Sequence, residues 1–202
     1  GLEFLRKLMP QYPLPVVIIS ALSEKVFDAM KAGAVDFVAK PQVTEREQLR
    51  NFLCSELPVK IKVASTARVS RYKKPVAFAA DQHLSVRSDI DIIAIGASTG
   101  GTEAIAEVIR NFSTDIPGTV IVQHMPPGFT EMYANRLDSQ SRVKVKEAKN
   151  GDMVAPGQVL IAPGGSEHMS IVKVGDNYKV VLKKGEKVNG HCPSVDVLFN
   201  SV

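Results

Sequence analysis

Cysteine is scarce in this 202-residue sequence, occurring only at Cys54 and Cys192. Two such residues supply neither a disulfide framework nor a zinc-binding spacing, and they read as ordinary residues of a reducing, cytoplasmic compartment. Long apolar runs are also missing. Val16-Val17-Ile18-Ile19 and Val120-Ile121-Val122 are far shorter than the ~20 residues needed to span a bilayer, so no membrane insertion is expected. No initiator Met is present: the sequence opens on Gly1-Leu2-Glu3 inside one helical pattern and stops at Asn200-Ser201-Val202 inside another. The whole reads as an internal fragment. Acidic residues are absent between Leu57 and Ala80, where Lys60, Lys62, Arg68, Arg71, Lys73 and Lys74 accumulate. A solvated basic linker is the plain reading of that stretch, and a nucleic-acid arm the alternative. No aromatic-interleaved or helix-turn-helix pattern accompanies it, which argues against nucleic acid.

What the sequence does contain is a core's worth of apolar side chains, 45% of residues, with a mild net charge of +4. Their periodicity divides the chain. Residues 1–56 alternate helix and strand: a helix over 1–9 ended by Pro13 and Pro15, a buried strand over 16–20, a helix opened by Ser23 and stopped near Gly33, a short strand over 35–39, and a charged helix over 44–56. Strands alternating with helices predict a parallel sheet with both faces covered. Residues 57–88 lose periodicity, with Pro58 and Pro75 breaking any helix, and predict a linker between domains. A second α/β region begins at Asp89. It has a strand over 90–94, a helix burying Ala104, Ile105, Val108, Ile109 and Phe112, and a strand over 119–123, with Thr130 capping a further short helix. From 143 to 184 the pattern becomes short strands and turns, including a hairpin around Gly175-Asp176-Asn177. Helix returns from 193.

The chemistry concentrates at Ile95-Gly96-Ala97-Ser98-Thr99-Gly100-Gly101. A buried strand, a glycine turn and an amphipathic helix in this order present Ser98 at the apex of a Gly-x-Ser-x-Gly elbow. The helix N-terminus behind it favours negative charge. A dinucleotide loop needs glycine where Ser98 stands, and a phosphate loop needs a Gly-Lys-Ser/Thr ending that is missing. A turn without chemistry is the plain alternative. The next apolar run ends in His124. In a right-handed βαβ unit both strand ends open on the same sheet edge, and neighbouring strands lie about 5 Å apart, so a hydroxyl-to-imidazole contact is within reach. Ser98 is therefore the candidate nucleophile and His124 the candidate base. Thr99 is a candidate oxyanion or supporting donor. The pair calls for a carboxylate to hold the imidazole tautomer. Asp138, Asp152, Asp176 and Asp196 are available, but none ends a predicted parallel strand. His168 and His191 lack partner spacing and read as surface or loop residues. Lys40-Pro41, at a strand end, reads either as a functional lysine or as a turn.

Four blocks in order carry a resemblance. They are Ile95-Gly96-Ala97-Ser98-Thr99-Gly100-Gly101-Thr102-Glu103-Ala104, Gln123-His124-Met125-Pro126-Pro127-Gly128-Phe129-Thr130, Ile161-Ala162-Pro163-Gly164-Gly165 with His168-Met169, and Pro193-Ser194-Val195-Asp196-Val197-Leu198-Phe199. Together they resemble the catalytic domain of the chemotaxis protein-glutamate methylesterases, the CheB family. Residues 1–56 are similar to the second half of the receiver domain that precedes it, with Ser20 and Lys40 in the positions of the receiver's hydroxyl and phosphate-sensing lysine.

The resemblance implies a flavodoxin-like receiver fragment over 1–56, a linker over 57–88, and an incomplete catalytic domain over 89–202. That catalytic domain is expected to be a doubly wound, mainly parallel, Rossmann-like sheet with a β-hairpin excursion. It implies hydrolysis of glutamate γ-methyl esters on methyl-accepting chemotaxis receptors, with glutamine deamidation beside it, and a chemotaxis histidine kinase as partner of the full receiver domain. Ser98 and His124 take the family's serine and histidine positions. The family's triad aspartate sits in a Gly-Met-Gly-x-Asp-Gly segment that does not occur here, and the phosphoacceptor aspartate, with the acidic pocket that takes Mg²⁺, would precede Gly1. No cofactor is expected for the esterase itself. A response-regulator binding module with a degenerate catalytic domain is the alternative function, and a nucleotide-binding Rossmann-type domain a third.

Overall fold

The computed structural model describes residues 1–21, 23–41, 46–69 and 90–202. The chain divides into two units, Gly1–Ala77 and Phe78–Val202.

In the first unit two parallel strands, β1 (Val17–Ser20) and β2 (Asp36–Ala39), pair in register. Around them lie α1 (Leu2–Gln11), α2 (Ser23–Lys31), α3 (Arg46–Asn51) and α4 (Leu57–Ser65). Leu5 and Met9 of α1 and Val26, Phe27 and Met30 of α2 supply buried apolar faces, spaced as a 3.6-residue period requires. The linker expected from residue 57 does not begin there. A π-helical turn, Phe52–Glu56, joins α3 to α4, so the chain remains helical through Ser65. Pro58 does not break it because it falls in the first turn after the π-turn, whose wider ring closes on the Leu57 N–H bonded to Phe52 O; there the missing proline N–H costs little. Lys60 is likewise no linker charge: its Nζ lies 2.8 Å from Asp36 Oδ2 of β2. Arg71, Lys73 and Lys74 lie outside the described residues.

The second unit is an α/β domain built on four parallel strands in the order β3-β4-β7-β5, namely β3 (Ile92–Ala97), β4 (Gly118–Gln123), β7 (Gln158–Ile161) and β5 (Lys144–Glu147). Residues 144–147, expected among short strands and turns, in fact extend the parallel sheet. Their alternation of exposed charge with buried Val145 suits an edge strand, where like charges discourage further pairing. α5 (Gly101–Arg110) follows β3 and α6 (Phe129–Gln140) follows β4. Thr130 does not cap α6, which starts from Gly128 at φ 80; it is buried within the first turn.

Helices do not cover both faces of this sheet. Val120 and Val122 of β4 and Leu160 of β7 pack with Met169, Ile171, Val180 and Leu198. These come from an antiparallel sheet ordered β6-β9-β8 and from α7, comprising β6 (Met153–Val154), β8 (Glu167–Val174), β9 (Asn177–Lys184) and α7 (Val195–Phe199). The excursion expected as a hairpin is thus one wall of the core. Residue alternation sends one side of β4 and β7 to this second sheet and leaves the other to the helices. β4 is buried at every position.

Candidate active site

Ser98 and His124 meet at the carboxyl edge of the parallel sheet. β3 and β4 pair with Ala97 opposite Gln123, so each side chain is the first beyond its strand. The His124 N–H donates to Ala97 O at 3.2 Å, which carries the pairing one step past the strand ends. His124 Nδ1 lies 3.3 Å from Ser98 Oγ. Ser98 is exposed and His124 half-buried, so the hydroxyl is open to a substrate while the imidazole is held. For Nδ1 to accept the serine proton, the neutral ring must carry its own proton on Nε2.

The backbone under this pair is clamped by a residue to which the sequence reading gave no role. Gln123 is 3% exposed, and its Nε2 donates to Ser98 O at 3.0 Å and to His124 O at 3.4 Å. One amide thus holds the chain at both candidate catalytic residues. The Ser98 carbonyl also accepts from Gly101 N–H at 2.8 Å, closing the turn. Gly101 must be glycine for a packing reason: a Cβ there would run into Gln123 Oε1 and Ala97 Cβ. Thr99 lies half-buried between Ser98 and the left-handed Gly100 that starts α5.

His191 is not the unconnected loop residue it was expected to be. Its ring stacks on that of His124, with centroids 3.8 Å apart and planes 5° apart. His168 is not a surface residue either. It is 7% exposed, its Nδ1 accepts from Ser194 N–H at 3.1 Å, and its Nε2–H donates to Glu186 O at 2.8 Å. Both ring nitrogens serve the packing of the segment before α7, so His168 is a structural histidine. In sequence, the signal for His191 was the Asn189-Gly190 pair before it, which marks a tight turn; nothing there indicated what the turn faces.

The four aspartates weighed for the carboxylate role hold other positions. Asp138 Oδ1 accepts from Val145 N–H at 2.8 Å. Asp152 accepts from Lys149 N–H at 2.7 Å and pairs with Lys146 Nζ at 2.8 Å. Asp196 Oδ2 accepts from Asn189 Nδ2 at 2.7 Å. Asp176 is in the turn between β8 and β9.

The remaining sequence blocks also find their places around the site. Gly164 sits where a Cβ would meet the carbonyl oxygens of Met125 and Pro126, so the loop after β7 supports the loop after His124. Thr130 Oγ1 ties this region together, donating to the Glu147 carboxylate and accepting from Gly164 N–H. Val195 of α7 packs over Gly96. Tyr133, fully buried in α6, donates to Thr102 O at 2.7 Å at the start of α5. Burial first, and the nearby Glu103 second, hold the Tyr133 hydroxyl far above its ordinary range against the opposing charge of Arg136, so it stays a donor.

In the first unit Ser20 and Lys40 stand at the carboxyl ends of neighbouring parallel strands, with Lys40 N–H donating to Ser20 O at 2.8 Å. Among the described residues no three His, Cys, Asp or Glu side chains come together as a metal site. Among them, too, no helix is long and apolar enough to cross a membrane.

A mainly parallel α/β sheet that carries a serine on a strand–turn–helix elbow, with an imidazole at the adjoining strand end, has the layout shared by α/β serine hydrolases. Residues 93–202 match the family model of the CheB methylesterases, and the chain belongs to that family. Over its whole length it is 58% identical to a protein-glutamate methylesterase/protein-glutamine glutaminase of Syntrophomonas wolfei, covering 58% of that protein. It is 50% identical to one from Syntrophotalea carbinolica, covering 60% of it. Among solved structures it resembles the Thermotoga maritima CheB methylesterase catalytic domain, with a TM-score of 0.53 and 41% identity over 55% of this chain and 59% of that one. The chain therefore spans about three fifths of the length of these curated relatives.

Proposed function

We propose that residues 89–202 carry the nucleophile and base of a protein-glutamate methylesterase, acting on glutamate γ-methyl esters of chemoreceptors. The observation that carries this reading is the Ser98 Oγ to His124 Nδ1 contact, made within the segment that matches the family model. Ser98 Oγ adds to the γ-carbonyl carbon as its proton passes to His124 Nδ1. The tetrahedral adduct collapses, the bond to the methoxy oxygen breaks, and His124 returns the proton so that methanol leaves. Water then adds to the acyl-serine, giving one proton to His124. Collapse frees the glutamate carboxyl and restores Ser98 with that proton. A glutamine side chain follows the same course with ammonia leaving, which accounts for deamidation. The Thr99 backbone N–H is the donor for the oxyanion. A Ser-His-Asp arrangement completes the site, with an aspartate on the histidine nitrogen that does not face Ser98.

Residues 1–56 are proposed as part of a receiver domain, with Ser20 and Lys40 as its switch residues. Their placement at neighbouring parallel strand ends supports this. The methyl-accepting receptors and a chemotaxis histidine kinase are the partners, and the cytoplasm is the compartment. In the intact protein, Ser98→Ala should abolish methanol release from methylated receptor while circular dichroism stays unchanged. Retained hydrolysis would leave Ser98 without its role; no methanol release from the intact parent protein would favour a binding module.

A further inference from the structure

The stacking of His191 on His124 has no counterpart in the two-residue chemistry above, and the geometry assigns His191 a task in it. We propose that His191 is a positioning residue for the same site: its ring fixes the plane of the His124 imidazole so that Nδ1 stays aimed at Ser98 Oγ. This inference rests on the reading of Ser98 and His124 as nucleophile and base.

The need follows from the torsion involved. The ring of a histidine turns about a bond with a broad, shallow preference, so the backbone of β4 places His124 without setting the direction of its nitrogens. Hydrogen bonds at the ring nitrogens, to Ser98 at 3.3 Å and to the proposed aspartate, act in the ring's plane, and a stacked ring adds a restraint on the plane itself. A ring lying flat at 3.8 Å, with planes 5° apart, opposes rotation in both senses.

His191 can serve as that stop because it is itself held. Val188 and His191 exchange both backbone hydrogen bonds, at 3.0 and 3.1 Å, across a two-residue turn. The turn residues have positive φ, 50° at Asn189 and 82° at Gly190, as expected of an Asn-Gly hairpin turn. The His191 ring is fixed next. Its Nδ1 lies 2.9 Å from Asn189 O, an acceptor only, so Nδ1 carries the proton and donates. The Asn189 side chain is tied in turn to Asp196 of α7 at 2.7 Å. A chain of contacts therefore runs from α7 through the turn to His191 and onto His124. It ends in a face-to-face contact, so it transmits orientation and moves no proton.

The stack requires a flat ring at position 191 and nothing of its nitrogens beyond self-anchoring. That separates it from a second base. In the intact protein, His191→Ala should lower kcat for methanol release about ten- to a hundredfold with KM nearly unchanged, the scale expected when a reacting group is misplaced by about an ångström. His191→Phe, which keeps a flat ring, should recover most of that loss. Ser98→Ala is measured alongside, and thermal melting checks that each variant is folded. Wild-type kcat in His191→Ala with an inactive Ser98→Ala overturns the inference alone. Equal loss in His191→Ala and His191→Phe overturns it too, by showing that a ring nitrogen rather than the ring's plane matters. An active Ser98→Ala sinks the underlying reading and the inference with it.

Discussion

Gln123 holds two carbonyls at once, those of Ser98 and His124. Its removal has two separable effects. Gln123→Leu leaves both acceptors without their amide in a buried place, which should cost about 1–3 kcal/mol of stability in a urea titration. Because the proposed nucleophile and base then lose a common anchor, kcat should also fall, about tenfold or more. A stability loss with unchanged kcat would show that the amide serves the fold only. At this scale the legibility of the site was uneven. Ser98 and His124 stood out because each ends an apolar strand, and strand ends in parallel sheets share an edge. Gln123 did not, since an amide inside an apolar run gives no sign of which carbonyls it will reach. Nor did His191, whose contact with His124 joins residues on separate elements.

Short turns between strands carry much of the local electrostatics. The turn from β5 to β6 is closed by Asp152, which accepts from Lys149 N–H and pairs with Lys146. Burial alone would raise the Asp152 pKa, but the hydrogen bonds from Lys146 and Lys149 and both their charges outweigh it and hold the carboxyl below its ordinary value of 3.8. A carboxyl lowered in the folded state stabilises the fold above the unfolded value, and that contribution is lost as pH falls through the folded one. The pair is partly solvated, so the effect is modest. Asp152→Asn should lower stability by up to about 1 kcal/mol at pH 7, and the gap to the parent should close as pH falls below the folded value. A gap independent of pH would assign the effect to the turn's shape instead. Most helices and strands were readable from periodicity, β5 among them as an alternating strand. Its place in the parallel sheet was not, because an edge strand has only one well-covered side and so alternates like an antiparallel one. α4 lay hidden behind Pro58, because a π-turn before a proline leaves no trace in a 3.6-residue pattern.

At the scale of the whole molecule, family membership and the segments of the chain fit one description. If an aspartate orients His124 as proposed, replacing it by asparagine in the intact protein should lower the rate of methanol release about 10⁴-fold, as in a serine protease. An unchanged rate would mean that the site works without it. The sequence by itself determined the α/β class, the turn at Ser98, its meeting with His124 at one sheet edge, and the family. Each of these is local, resting on a period, a turn or a short block of residues. Only the tertiary structure decided that a second sheet, together with α7, covers one face of the core, that His168 is structural and that His191 lies on the candidate base. Each of these depends on side chains distant in sequence sharing space, and packing, unlike periodicity, leaves no pattern along the chain.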